Sequence, residues 1–149
     1  MTEVSFYHLQ AQPLDHVLPR LLEKVSGRSL RVLVRMQTDA LKEHLNTVLW
    51  TYSAPSFLAH GCDDADHISE QPILLTTHPD GNANEADVLV LLEDSAASDI
   101  ADFDRCLYMF DGNDPQLLQA ARERWKLYKS EGVDATYWQQ DGGGWTKKA

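Results

Sequence analysis

The sequence predicts a three-layer α/β domain with a mostly parallel central sheet. Three observations carry this. LRVLVRM, PILLTT and DVLVLLE are continuous apolar runs of strand length, the pattern of strands buried on both faces. Segments with apolar residues at helical spacing alternate with these runs, which favours crossover connections over hairpins. An Asp-Pro pair, Asp114 and Pro115, opens the last long helical pattern with a cap followed by a proline at the first helical position.

In chain order, VSFYHL (Val4 to Leu9) reads as the first strand. Asp15 is the expected cap of a helix carrying Val17, Leu18, Leu21, Leu22 and Val25, with Pro19 near the first turn and Gly27 at its end. The strand at Leu30 to Met36 completes a strand, helix, strand unit. Thr38 is placed to cap a second helix whose Leu41, Leu45, Val48 and Leu49 form one stripe ending near Trp50. YSAPSFLAHGCDDADHISEQ then reads as a long loop, and loops of that length are often functional. Strands at Pro72 to Thr77 and Asp87 to Glu93 flank the turn-forming HPDGNANEA. A short helix over Ser95 to Phe103, a strand at Arg105 to Phe110, the Asp114 helix and a last strand at TYW complete the pattern. Residues 1–140 are expected as one α/β domain, and 141–149, DGGGWTKKA, as a flexible tail.

The 149 residues are ordinary for one domain, and 43% hydrophobic with 24% charged residues is enough to build a core. A formal net charge of -10 disfavours wrapping a nucleic-acid backbone over a broad surface. The opening MTEVSFYHLQ has no basic segment followed by an apolar one, and no apolar run reaches membrane-spanning length, so a cytoplasmic protein without a membrane partner is expected. Cys62 and Cys106 show no paired spacing, as a reducing compartment allows.

An α/β sheet invites a nucleotide reading, but neither GxGxxG nor GxxxxGK[ST] occurs, and no cofactor is expected. HGCDDADH gathers His60, Cys62, Asp63, Asp64, Asp66 and His67, all metal-ligand types. A second cluster is missing and only His78 lies near, so the segment reads as a solvated acidic loop with no metal. The rival class is a small metal-dependent hydrolase using His60, Cys62 and His67. Ser56 and Cys106 lie outside any nucleophile-elbow pattern, so no catalytic residue is assigned.

ARERWKLYK, Ala121 to Lys129, concentrates cations in an acidic chain. On a helical projection Leu117, Ala121, Arg124 and Tyr128 form the core face, with Leu127 and Ala120 on one flank and Trp125 and Leu118 on the other. Arg122 and Lys129 stand just beyond Trp125, while Lys126 points outward. Two readings follow. The cations solvate an amphipathic helix and favour its C-terminal dipole, with Arg124 paired to an acid; or they rim a small aromatic-walled pocket suited to a peptide whose acidic residues precede an apolar end. In LWTYSAPSFLAHG the aromatics Trp50, Tyr52 and Phe57 either close the core or form a protein-binding hot spot.

VSFYHL, GRSLRVLVRM, LWTYSAPSFLAHG, QPILLTT with GNANEADVLVLLE, and FDGNDPQLLQAARERWKLYKSEG together resemble, in order and spacing over nearly the whole chain, the chi subunit family of bacterial DNA polymerase III holoenzyme. The resemblance implies a Rossmann-like α/β protein that binds no nucleotide and has no activity of its own, an accessory subunit of a DNA-directed DNA polymerase in replication and repair. It implies a partner in the acidic, apolar-ended C-terminal tail of single-stranded-DNA-binding protein, held at Arg122, Trp125 and Lys126, to which the helical projection adds Lys129. It also implies a second surface at Trp50 and Phe57 for the psi subunit, the clamp loader or an iron-sulfur helicase, with DNA and the nucleoid reached only indirectly. Leu118 stands where some relatives carry a base, and Ala59 where SFLPHG is commoner.

Overall fold

The computed structural model describes residues 2–10, 13–52, 60–63, 68–78, 81–95, 99–141 and 144–148. Its elements are β1 (Glu3–Leu9), α1 (Leu14–Gly27), β2 (Val32–Arg35), α2 (Asp39–Trp50), β3 (Gly61–Cys62), β4 (Ile73–Thr76), β5 (Val88–Leu91), β6 (Arg105–Asp111), α3 (Pro115–Ser130), β7 (Asp134–Asp141) and β8 (Gly144–Lys147). The strands form one sheet in the order β3-β4-β2-β5-β6-β1-β7-β8. Every pairing is parallel except that of β7 with β8.

The continuous apolar runs are explained by two cores. Val32, Val34, Ile73, Leu75, Val88, Val90 and Met109 meet Leu18 and Leu22 of α1 and Leu45 and Leu49 of α2 on one face. Leu33, Leu74, Leu89, Leu91, Cys106 and Tyr108 meet Ala121 and Tyr128 of α3 on the other. Successive strand residues point to opposite faces, so a strand covered on both sides must be apolar throughout. The expected three-layer α/β class is the observed one.

Thr38 and Asp114 cap as the sequence predicts: Thr38 Oγ1 accepts from the Leu41 amide at 3.3 Å, and Asp114 Oδ1 accepts from Gln116 and Leu117 at 3.0 and 3.3 Å. Asp15 does not cap α1. Pro13 takes the cap position without a side-chain bond, and Asp15, in the first turn, meets His44 Nε2 of α2 at 2.7 Å. Pro19 lies inside α1 rather than in its first turn and is buried, which offsets part of the cost of the helical bond that its ring removes. The helix expected at 95–103 is a single 3-10 turn over Ile100–Asp102, with 96–98 outside the described residues. The long loop contributes the two-residue β3.

The expected loose tail also differs. Gly144–Lys147 pairs with β7 as β8, because Trp145 lays its indole edge-on against Tyr7, 5.1 Å between ring centroids and 79° between planes. That contact adds aromatic area to the α1 and α2 side of the sheet.

Two buried cations brace the loops. Arg35, 1% exposed in a central strand, donates to Asp99 at 3.0 and 3.2 Å and to the Gly81 carbonyl at 3.0 Å. Lys42 Nζ reaches Asp63 Oδ1 at 2.8 Å, and Asp63 also accepts from Thr76 Oγ1 at 2.6 Å. Burial pushes the Asp63 carboxyl up, but the Lys42 and Thr76 hydrogen bonds and the Lys42 charge outweigh it and hold the group below its ordinary value.

Candidate functional site

The basic aromatic helix α3 divides its cations by face, as its spacing predicts. Ala121 and Tyr128 are buried. Arg124 donates from Nε to Asp94 Oδ1 at 3.0 Å, and the same carboxylate oxygen accepts from Tyr108 Oη at 2.6 Å. Arg124 is thereby a core-edge arginine with a structural acid. Burial opposes its charge, but the Asp94 bond more than compensates and raises its pKa. One flank departs from the projection: Leu127 is 47% exposed.

Trp125 forms an aromatic wall. Its indole stands edge-on to Phe6 at 5.5 Å and to Tyr137 at 5.8 Å, with interplanar angles of 81° and 89°. Lys129 Nζ lies 4.9 Å from the Trp125 ring centroid, within range of a cation–π contact. Arg122, exposed one turn earlier, joins Trp125 and Leu118 along a cleft of about 490 Å³ whose other residues come from the strands and the positions that follow them: His8, Gln10, Gly112, Tyr137, Gln139 and Lys148. Of the four sequence-predicted positions, Arg122 and Trp125 line this cleft and Lys129 covers the indole. Lys126 is exposed on the outer side and does not line it.

His8 is the cleft's unexpected member. Its Nδ1 lies 2.7 Å from Tyr137 Oη, and its ring packs so closely on Gly112 that a Cβ there would collide with the imidazole. Nε2 is buried with no hydrogen-bond partner among the described residues. Burial lowers the imidazole pKa, the Arg122 charge lowers it further, and Asp111 opposes both. A neutral imidazole leaves the positive charge of the cleft to Arg122 and the lysines. Sequence reasoning missed His8, Tyr137, Gln139 and Lys148. The available signal was the alternation in β7 and the single large aromatic of the tail, Trp145.

At the other end of the molecule Trp50, the last residue of α2, is 57% exposed, and its ring lies 4.8 Å from that of His60. His60 Nε2 faces Asn46 Oδ1 at 2.9 Å. Phe57 and Ala59, the rest of the predicted second surface, lie outside the described residues, as does His67 of the rival metal reading. Among the described residues no group of three or more His, Cys, Asp or Glu side chains is arranged to hold a metal ion. Among them, no helix is long and apolar enough to cross a membrane.

A second crevice, about 400 Å³, opens between the carboxyl ends of β1 and β6, where the following helices leave to opposite faces of the sheet. Such switch points hold nucleotides in many open α/β sheets. Here the floor is apolar, from Leu9, Leu14, Leu41, Met109 and Leu117, and the polar residues include the acids Glu93 and Asp111, which repel a polyphosphate.

The family model for the DNA polymerase III chi subunit, HolC, matches residues 1–136. The chain is 29% identical over 136 residues to the DNA polymerase III subunit chi of Pseudomonas aeruginosa, covering 89% of this chain and 92% of that protein. It is 32% identical over 92 residues to a probable DNA polymerase III subunit chi of Rickettsia prowazekii, covering 62% of this chain and 55% of that one.

Proposed function

The chain belongs to the DNA polymerase III chi subunit family, and from that premise we propose that it works as a non-catalytic adaptor, docking the acidic C-terminal tail of single-stranded-DNA-binding protein in the Arg122–Trp125 cleft and linking it to the clamp-loader complex. The observation that carries this reading is the cleft itself. In a chain of net charge -10, Arg122 and the Lys129-capped indole of Trp125 meet at one concave edge. A guanidinium recognises carboxylates with charge-assisted bonds, and an aromatic wall accepts the apolar residue that follows them. The rest of the acidic surface resists polyanions, so the strand of DNA is reached through the partner. The exposed Trp50 end of α2 is assigned to the second partner, psi or another clamp-loader component.

The test is titration of a fluorescent synthetic peptide, several aspartates before an apolar residue with a free C-terminal carboxylate, followed by anisotropy at low salt. Arg122→Ala is expected to weaken binding about tenfold or more, the effect of removing a hydrogen bond to a charged group, with an unchanged circular dichroism spectrum. Equal affinity in wild type and variant rejects the assignment.

A further inference from the structure

The family match ends at residue 136, yet Tyr137, Gln139 and Lys148 line the same cleft as Arg122 and Trp125. We propose that the C-terminal hairpin completes the cationic rim, with Lys148 a further binding residue for the carboxylates of the acidic peptide. This rests on the adaptor reading and concerns residues beyond the part of the chain that matches the family.

The argument runs from register. In an antiparallel pair, residues directly opposite one another share a face, and side chains alternate along each strand. Thr146 lies opposite Gln139, and Lys147 opposite Trp138. The Lys148 amide then donates to the Tyr137 carbonyl at 2.8 Å, carrying the pairing one residue past β8. Tyr137 belongs to the α3 side of the sheet, stacked on Phe6 at 6.3 Å with 11° between planes. Lys148 therefore stands on the α3 side, whereas Lys147 falls on the other face.

Trp145 fixes this register. Its indole, partly buried, packs with Tyr7 against the core on the α1 and α2 side, so a one-residue slip would move it to the other face and turn Lys148 away from the cleft. An aromatic anchor three residues before an exposed lysine thus converts a terminal strand into a device for placing one charge. The helix wall benefits from that charge because Leu118, one turn before Arg122, lines the cleft with an uncharged side chain. The cations of the rim then come from two elements, Arg122 of α3 and Lys148 of the hairpin, and a peptide lying between them meets both.

The same acidic synthetic peptide is titrated against wild type, Arg122→Ala, Lys148→Ala, Lys148→Glu and Lys147→Ala at several salt concentrations. Lys148→Ala is expected to weaken binding about three- to five-fold, the scale of one exposed ion pair, and to make the salt dependence shallower. Lys148→Glu is expected to weaken it further, and Lys147→Ala to leave it unchanged. If Arg122→Ala loses binding while Lys148→Ala retains wild-type affinity and salt slope, the hairpin has no part in the site and the adaptor reading stands. Equal losses in the Lys147 and Lys148 variants reduce the effect to net charge and also overturn the assignment. If the wild type itself does not bind, the adaptor reading falls and takes this inference with it.

Discussion

Arg122 and Arg124 are two positions apart and have opposite tasks, a division visible from helical spacing alone. Arg124 turns inward and closes on Asp94, while Arg122 stays exposed at the cleft. His8 could not be placed this way, because its closeness to Arg122 depends on β1 lying beside β7 and beneath α3. Its chemistry gives a pH prediction. Arg122 from α3, Tyr137 from β7 and Asp111 at the end of β6 surround the ring, and burial and Arg122 together lower its pKa from 6.5. A depressed folded-state pKa contributes stability that is present above the unfolded value and is lost as pH falls from 6.5 through the lowered folded value. His8→Leu is expected to flatten the fall in urea midpoint between about pH 7 and 5. A variant with the wild-type slope over that window would show that His8 is not the group that titrates. Asp63 and Asp99, held below 3.8, act only at lower pH.

The elements most legible in the sequence were those whose pattern is local. Asp114 and Pro115 begin α3 by satisfying its first amides with a side chain and filling its first position with a residue that has no amide to satisfy. Elements whose existence depends on distant partners were not legible: β8 looks like a glycine-rich tail until Tyr7 receives Trp145, and Asp15 looks like a cap until α2 brings His44 beside it. Arg35 belongs to the same class, a charge within an apolar run that is explained only by Asp99, 64 positions later. Burial raises the Asp99 pKa, but the Arg35 bonds and charge overcome it and keep the carboxylate ionised. Removing one member of a buried pair strands the other, so Asp99→Ala is expected to cost about 3–5 kcal/mol in urea denaturation. Because this brace ties β2 to the loops around Gly81 and Asp99 and not to α3, peptide affinity should survive at temperatures where the variant is folded. Loss of peptide binding by a folded Asp99→Ala protein would contradict that separation.

At the scale of the whole molecule, the class of fold followed from strands apolar on both faces, while the strand order did not, since it depends on where each crossover lands. Charge distribution is likewise a property of the whole and sets the kinetics of docking. An acidic peptide approaching a protein of net charge -10 meets repulsion at long range and attraction only at the cationic rim. Salt screens both, but the Debye length, about 10 Å at 0.1 M, separates their ranges. Added salt therefore relieves the distant repulsion that slows encounter while it weakens the charge-assisted contacts that hold the complex. The association rate constant is expected to stay level or rise with salt, and the dissociation rate constant to rise more steeply, so that affinity falls through dissociation. Stopped-flow anisotropy over a salt series separates the two. An association rate that drops steeply with salt would mean that the encounter is steered by a broad basic field, which a rim built from Arg122, Lys129 and Lys148 on an acidic body does not provide.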